Sequence, residues 1–240
     1  MNLELKVIDL GNVKYKEAEQ LQESIAKKRE KGEISDTLLI AQHPPTLTTW
    51  INKQWNIIYA TPTELKRLGI EYYESSRGGG ATILGPGQLI FYPIINLKDI
   101  GILIGDYMRA IEETMHDISK GMGAKTIMGK EQNSATGKDY YCVWHLNNKK
   151  EKFLAQGYNV KKEIINQGGF SIYIDKRAHE YFNLIDHCGF KLTEVGATSF
   201  EEMLGYNPGL ELIKSQVLST FQKKFGYSNL KIISQLEVAA

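Results

Sequence analysis

This sequence has almost no excess of either charge, few cysteines and no long apolar run. Its 29 basic and 28 acidic side chains leave a formal net charge of +1, which offers no electrostatic attraction to nucleic acid or to an anionic membrane. No stretch approaches the roughly 18 apolar residues of a membrane span. Residues 1–10 alternate apolar and charged side chains where a signal peptide has an apolar core. We therefore expect a soluble, cytoplasmic protein with no nucleic-acid and no membrane partner.

The two cysteines, Cys142 and Cys188, are too few for a framework of disulfides or for a zinc site made of cysteines alone. A disulfide between them stays open as an alternative, although a reducing compartment favours two free thiols. Cys142 lies in the strand pattern 141–144 and is expected in the core. We expect no metal site.

Linkers, repeats and low-complexity tracts are missing as well, so we expect a single domain over residues 1–240. Apolar periodicity predicts several helices and short strands. The predicted helices cover 14–31, a short segment that starts at Thr61-Pro62 and ends at Gly69, 104–121, and a segment opened by Asn207-Pro208; the predicted strands cover 1–10, 36–41, 46–50, 70–73 and 88–95.

Residues 140–175 alternate with period two in three pieces, separated by turn-like residues at 147–149 and 166–169. This pattern predicts an antiparallel meander. Because helices and hairpins occur in clusters without strict βαβ alternation, we expect an α+β fold in which helices pack on a mixed or antiparallel sheet.

The densest local signal is the glycine-rich segment 77–88, which reads RGGGATILGPGQ. Three consecutive glycines allow a ligand or another backbone to approach closely, and their N–H groups can point at a carbonyl or phosphate group. The spacing fits neither a P-loop nor the G-x-G-x-x-G dinucleotide motif, and a strand pattern follows it where those motifs need a helix. Considered alone, the segment is more typical of a glycine-rich hairpin.

Two candidate catalytic residues are only weakly marked by their local sequence. Cys188 precedes Gly189, so a turn can present its sulfur, although a buried thiol is the commoner state of an unpaired cysteine. The neighbouring His187 suggests a Cys–His pair, but adjacent side chains often diverge. Lys152 begins a strand pattern after a charged turn and, taken alone, is typical of a solvated lysine.

Four blocks, taken together and in order, resemble the octanoyl-carrier-protein:protein octanoyltransferases of lipoate biosynthesis, which share the wider fold of lipoate and biotin protein ligases. The family's H-P-P block, its R-G-G-x-x-T-x-x-G-P-G-Q-L signature with a following Y-P, its K-I-A-x-x-G-like block and its C-G motif with a trailing E-V correspond to His43-Pro44-Pro45, Arg77 to Leu89 with Tyr92-Pro93, Lys152 to Gly157, and Cys188-Gly189 with Glu194-Val195. Each block alone is weak, whereas the ordered set is specific.

The resemblance implies a mechanism in two steps. Cys188 attacks the thioester of an octanoyl-acyl carrier protein to give an acyl-enzyme. A lysine of a lipoyl domain, or of an H-type protein of glycine cleavage, then takes the octanoyl group as an amide. Lys152 is implied as the proton partner of Cys188, because a neighbouring ammonium favours the thiolate and the lysine can later act as base for the incoming amine. No cofactor is implied.

The resemblance also implies an acyl-binding tunnel formed by three segments, whose small residues leave room for an octanoyl chain between apolar walls. The implied acyl-binding residues are Arg77, Gly78, Gly79, Gly80, Ala81, Thr82, Ile83, Leu84, Ala155, Gln156, Gly157, Gly169, Phe170 and Ser171.

Three positions in this region depart from the family pattern. Leu84 stands where the family commonly has a histidine before G-P-G. Gly168 and Tyr173 replace the histidine and the asparagine of its H-G-x-A-L-N stretch, and residues 130–141 form a longer passage. These departures concern the polar lining of the pocket and the acyl preference, and they leave the catalytic pair intact.

Three alternatives stay open. An ATP-dependent lipoate ligase of the same fold activates its acid as an adenylate and needs no nucleophilic cysteine. The sequence of residues 78–81, GGGA, resembles its S-G-G-G-A-V block, whereas the G-P-G-Q turn and Cys188-Gly189 favour the transferase. The second alternative is a cysteine transferase that moves acyl groups between lipoyl domains, and the third is a non-catalytic module that binds carrier or lipoyl domains.

Overall fold

The computed structural model of the chain describes residues 3–51, 56–132, 139–187, 192–193 and 195–233. Its elements combine mixed sheets with packed helices, which confirms the predicted α+β class. None of the helices in these residues combines the length and apolarity needed to span a bilayer.

The helices of the described residues follow the predicted apolar faces. They are α1 (Tyr15–Glu30), α2 (Pro62–Arg67), α3 (Ile104–Gly121), α4 (Phe200–Leu204) and α5 (Leu210–Lys224). The buried face of α3 holds Ile111, Met115 and Ile118, as the helical periodicity predicts. Thr61 caps α2, because its hydroxyl accepts a hydrogen bond from the Glu64 N–H at 3.2 Å. The predicted start of this helix is thus confirmed.

The strands of the described residues form three sheets. They are β1 (Glu4–Asn12), β2 (Asp36–Gln42), β3 (Thr46–Trp50), β4 (Glu71–Ser75), β5 (Thr82–Leu84), β6 (Gln88–Ile94), β7 (Thr126–Gln132), β8 (Asp139–Leu146), β9 (Lys150–Lys152), β10 (Leu154–Lys161), β11 (Ile164–Tyr173), β12 (Val195–Ala197) and β13 (Asn229–Ile233). The six-stranded sheet has the order β10-β11-β6-β2-β1-β13, the four-stranded sheet β12-β9-β8-β7, and the three-stranded sheet β4-β3-β5. Each contains parallel and antiparallel pairs.

The six-stranded sheet separates two apolar layers. Helices α3 and α5 cover one face, where the rings of Phe91 and Phe170 stack with their centroids 4.9 Å apart. Helix α1 covers the other face and packs Ala18 and Ile25 against β2 and β6. Burial on both faces explains why β2 and β6 read as continuous apolar runs without alternation.

The predicted meander over 140–175 is wrong in two respects. The chain reverses at Lys162 and Glu163, both with positive φ (51° and 64°), and the predicted turn at 166–169 lies inside β11. A tight hairpin turn with two positive φ values is usually marked by Asn-Gly, and here it is not. The pieces also belong to different sheets, since the chain leaves the four-stranded sheet after β9 and enters the six-stranded sheet at β10 through the fully buried Phe153.

Cys142 is half-buried, which corrects the prediction that it lies in the core. Its strand β8 belongs to the smaller, four-stranded sheet, and Cys142 packs at the edge of a small apolar cluster around Trp144. Such a cluster is too small to enclose every inward-facing side chain of its strand.

Candidate active site

A cavity of about 50 Å³ that opens to solvent lies where β5, β6, β10, β11 and α1 meet. Segments that are far apart in the sequence converge on it. The residues of the predicted acyl-binding segments that line the cavity are Arg77, Thr82, Leu84, Ala155, Gln156, Gly157, Gly169, Phe170 and Ser171. The other predicted residues, Gly78, Gly79, Gly80, Ala81 and Ile83, are not part of its wall; Ala81 and Ile83 pack instead in an apolar cluster behind it.

Glycines bring the backbones of these segments into direct contact. The Gly78 N–H donates a hydrogen bond to the Tyr158 carbonyl at 3.1 Å, and a Cβ at Gly78 would stand 2.7 Å from that oxygen. A Cβ at Gly157 would likewise stand 2.5 Å from the Gly78 carbonyl oxygen. The close backbone approach that the three consecutive glycines predict therefore occurs, and its partner is β10.

Gly168 explains why the family's histidine is missing at this position. Its φ is +84°, and a Cβ would overlap the Gly157 carbonyl oxygen. Any side chain here would push β11 away from β10 at the cavity wall. The histidine that the resemblance implies here would therefore clash with this chain's backbone.

Gly168→Ala is expected to lower the free energy of unfolding by about 4 kcal/mol or more, because positive-φ strain and overlap with backbone act together. Gly123→Ala is the matched control: its φ is +97°, but nothing lies within 4 Å of the added Cβ. Strain alone should cost about 1–2 kcal/mol there. Urea unfolding of both variants measures the difference, and equal losses would contradict the role of the backbone contact.

Arg77 ties the glycine-rich segment to β3. It is 8% exposed, and its guanidinium donates to the Thr48 carbonyl at 2.8 Å, to the Thr48 hydroxyl at 2.8 and 3.1 Å and to the Gly78 carbonyl at 3.1 Å. Hydrogen bonds from a charged group are stronger than neutral ones. Arg77 therefore fixes the loop while its side chain forms part of the cavity wall.

A buried tyrosine–histidine pair supports the part of the cavity wall that β6 forms. Burial lowers the pKa of His43, so its ring is neutral. Its Nδ1–H donates to the Val13 carbonyl at 2.6 Å, which leaves Nε2 to accept a hydrogen bond from the Tyr92 hydroxyl at 2.7 Å. The histidine of the H-P-P block thus orients Tyr92, which lines the cavity.

The cavity wall also contains four residues outside the predicted acyl-binding set: Tyr15, Ile90, Tyr92 and Gly168. Of these, the sequence analysis named Gly168 as a departure from the family pattern and Tyr92 as part of the Y-P pair. Tyr92 stands in the Y-P pair that ends the glycine signature, and this position could have marked it. Tyr15 and Ile90 carry no local signal beyond membership of a helix and a buried strand, because their part in the wall depends on long-range packing.

Lys152, the predicted proton partner, ends β9 in the four-stranded sheet. Strand β12 runs parallel to β9 with Ala197 opposite Lys152, and the Thr198 N–H donates to the Lys152 carbonyl at 2.9 Å. The backbone of Lys152 is therefore held by β12, while β8 pairs with the two preceding residues of β9, Lys150 and Glu151.

His187 lies within electrostatic range of Lys152. Its ring stacks on Phe182 with centroids 3.6 Å apart, and its Nε2–H donates to the Phe182 carbonyl at 2.6 Å. Burial, and then the nearby Lys152 ammonium, lower the pKa of His187 to about 3. A neutral ring held in this way is a poor general base for a cysteine. Cys188, the predicted nucleophile, lies outside the described residues.

The structure adds one ionisable residue that the sequence analysis missed. Glu112 of α3 is 6% exposed, and its carboxylate accepts hydrogen bonds from the Val143 N–H at 2.8 Å and from the Gln156 amide at 2.7 Å. Burial raises the pKa of Glu112 to about 7, against the opposing effect of these hydrogen bonds and of Lys152. Its position within the apolar stripe of α3 was the available signal.

The side chains of the cavity suit an apolar chain with a polar end. Leu84, Ile90 and Phe170 supply apolar surface, while Arg77 and Tyr92 add polar groups. Within the described residues, His, Cys, Asp and Glu nowhere gather in threes as a protein metal site would need.

The fold is similar to that of lipoate protein ligases of known structure. A bipartite lipoate protein ligase from an archaeal lipoylation system of Thermoplasma acidophilum gives a TM-score of 0.70 at 12% identity, over 99% of this chain and 90% of that one. A lipoate-protein ligase A bound with ATP gives 0.68 at 12% identity, over 100% and 92%. At such identities the likeness concerns the fold alone.

The chain belongs to the family of the lipoyl protein ligase A/B catalytic domain, whose model matches residues 14–222. An octanoyltransferase of Desulforamulus reducens is 33% identical over 225 residues, which cover 94% of this chain and 92% of that protein. An octanoyltransferase of Chloroflexus aggregans is 33% identical over 216 residues, covering 90% and 92%. The family that the sequence blocks predict is thereby confirmed.

Proposed function

We propose that this chain is a cytoplasmic, single-domain octanoyltransferase over residues 1–240. It takes octanoyl from an acyl carrier protein as a thioester on Cys188 and delivers it to a lysine of a lipoyl domain or of an H-type glycine-cleavage protein. One observation carries the proposal: the apolar cavity lies close to Lys152 along the chain. Ala155 of β10, which follows Lys152 by three residues, forms part of the cavity wall. The similarity to octanoyltransferases over nearly the whole chain supports the choice of acyl group.

The first step is a thioester exchange. The Cys188 thiolate forms a bond to the octanoyl carbonyl carbon, and the bond from that carbon to the carrier's sulfur breaks. The departing carrier thiolate takes a proton from the Lys152 ammonium, which leaves Lys152 neutral. Neighbouring positive charge favours the thiolate at neutral pH, where an ordinary thiol is mostly protonated.

The second step is aminolysis. The acceptor lysine enters as a neutral amine, having released one proton to solvent, and attacks the thioester carbon. Its remaining excess proton passes to the neutral Lys152, the carbon–sulfur bond to Cys188 breaks, and the amide forms. Thiolate and ammonium are both restored, so no cofactor or energy source is consumed.

Two observations support the pairing of Lys152 with Cys188. His187, the residue immediately before Cys188, lies close enough to Lys152 for the ammonium to lower its pKa. After Cys188 the chain returns as β12, with Ala197 opposite Lys152. The residue before Cys188 therefore lies within electrostatic range of Lys152, and the strand that follows pairs with the strand of Lys152.

The cavity suits an octanoyl chain energetically. Leu84, Ile90 and Phe170 provide apolar walls, and Ala155 and Gly157 leave space between them. Burial is worth about 0.8 kcal/mol per CH₂, so the carbons beyond the carbonyl together contribute roughly 5 kcal/mol. This gain is sufficient to select a medium-length apolar chain over a short one.

Intact-mass measurement after incubation with octanoyl carrier protein, without ATP, tests the proposal. We expect one hydroxylamine-sensitive octanoyl adduct that persists in Cys142→Ser and is lost in Cys188→Ser. Adding a lipoyl domain should discharge it. If activity appears only with free acid and ATP, the chain is a ligase. If the protein binds a lipoyl domain but transfers no octanoyl group from carrier protein or from free acid with ATP, it is a binding module. Either the ligase result or the binding-module result overturns the proposal.

A further inference from the structure

The chain passes from Lys152 to the cavity wall by changing sheets. Lys152 ends β9 in the four-stranded sheet, and β10, which carries Gln156, begins two residues later in the six-stranded sheet. Only the buried Phe153 separates the two strands. The position of Lys152 relative to the acyl cavity therefore depends on what holds the two sheets together at this crossover.

Glu112 occupies this crossover. Strand β8 pairs with β9 only at His145 and Leu146. At Val143 its N–H donates instead to the Glu112 carboxylate at 2.8 Å. The other carboxylate oxygen accepts from the Gln156 amide at 2.7 Å, and the same amide nitrogen donates to the Met108 carbonyl at 3.2 Å. One buried carboxylate thus joins β8 of the smaller sheet to β10 of the larger.

The contacts fit the ionised form of Glu112, which predominates above its pKa of about 7. Both groups that face Glu112 are donors, and a carboxylate offers an acceptor oxygen to each. Glutamine at this position would offer one oxygen and one NH₂. Its NH₂ would either face the Val143 N–H or force the Gln156 amide to turn over, which breaks the hydrogen bond from Gln156 to the Met108 carbonyl. Lys152 also lies close enough for its positive charge to lower the pKa of Glu112. The carboxylate therefore accepts two hydrogen bonds and lies within electrostatic range of one cation.

We propose that Glu112 is a positioning residue, whose ties to Val143 and Gln156 set where Lys152 stands relative to the acyl cavity. The inference rests on the proposed transfer reaction, in which Lys152 exchanges protons at the thioester. Glu112 itself lies behind Gln156, which forms the wall, and does not line the cavity.

Glu112→Gln tests the role, with Glu113→Gln as matched control. Glu113 is the next residue on α3, but it is bound at the surface by Arg109 at 3.2 Å and Lys224 at 2.6 Å. We expect Glu112→Gln to lower kcat per folded molecule roughly ten- to a hundredfold, because small misplacements of a reacting group cost this much. The KM for octanoyl carrier protein should change little, since the apolar walls are untouched. Glu113→Gln should keep the wild-type kcat.

Gln156→Met breaks the same tie from the other side and keeps a side chain of similar length. Its kcat should fall by a similar factor, and the double variant should be no slower than the slower single variant, because both changes disable one unit. Circular dichroism gives the folded fraction of each variant. A folded Glu112→Gln protein with wild-type kcat, or a double variant whose loss is the product of the single losses, overturns the inference. A wild-type protein without transfer activity would instead overturn the proposed function.

Discussion

Lys152→Ala is expected to slow octanoyl transfer by about 10²- to 10⁴-fold, the range that a positioned acid–base group contributes. In the proposed mechanism, the alanine variant loses the charge that favours the Cys188 thiolate and the proton acceptor for the incoming amine. Both steps of the reaction should slow, and single-turnover measurements with octanoyl carrier protein and then with a lipoyl domain separate them. The unfolding free energy should change little, since the backbone contacts of Lys152 to Thr198 and β12 remain.

The neighbouring lysines provide the controls. Lys150 lies on the same strand, and Lys149 packs its side chain over Gly196. Lys150→Ala and Lys149→Ala should both transfer at close to the wild-type rate. Equal losses in all three variants would mean that the K-I-A-x-x-G-like block is placed on the wrong lysine.

Lys152→Arg separates charge from proton transfer. Arginine keeps the positive charge, but its pKa lies above about 12, so it does not exchange protons at neutral pH. Alkylation of Cys188 by iodoacetamide should remain fast in this variant, while aminolysis should be nearly as slow as in Lys152→Ala. Fast aminolysis with arginine would show that the lysine acts through charge alone.

Local sequence patterns predict most helices and strands here, because their apolar faces are complete within each segment. The stripe of α3 and the cap of α2 at Thr61 are examples. The change of sheet at Phe153 was beyond such patterns, since β9 and β10 look like one interrupted strand in the sequence. The reversal at Lys162-Glu163 was missed because no glycine or asparagine marks it.

The site was predictable where its residues belong to ordered blocks. The glycine-rich segment, the block around Gln156 and the block around Phe170 converge on one cavity, although their acyl-binding role remains a prediction. What joins these blocks was not predictable. Glu112 acts across two sheets, and the need for glycine at position 168 arises from the backbone of a different strand. Both depend on distances that a linear pattern does not contain.

His187 should make the protein acid-sensitive. Its pKa is about 3 in the folded protein and near 6.5 when unfolded, so the unfolded chain binds a proton that the folded chain does not. Stability from His187 is complete above pH 6.5 and is lost as pH falls toward 3. From pH 7.5 to 3.5 the loss is about 4 kcal/mol, since each pKa unit is worth about 1.4 kcal/mol.

Glu112 acts in the opposite direction over a neighbouring range. Its pKa is about 7 in the folded protein against 4.5 in the unfolded chain, so the folded state holds the extra proton. Its contribution to stability is complete below pH 4.5 and is lost as pH rises through 7, by about 3 kcal/mol between pH 3.5 and 7.5. Between pH 4.5 and 6.5 the two effects nearly cancel, and below pH 4.5 His187 alone remains.

Urea unfolding of the wild type, His187→Gln and Glu112→Gln at pH 3.5, 5.5 and 7.5 separates the two effects. His187→Gln has no histidine to protonate at this position. Its stability relative to wild type should therefore improve by about 4 kcal/mol from pH 7.5 to 3.5. The stability of Glu112→Gln relative to wild type should instead fall by about 3 kcal/mol from pH 7.5 to 3.5. A constant gap between wild type and His187→Gln would mean that the ring is as easily protonated in the folded chain as in water. The ring of His187 would then not be stacked and buried on Phe182 in solution.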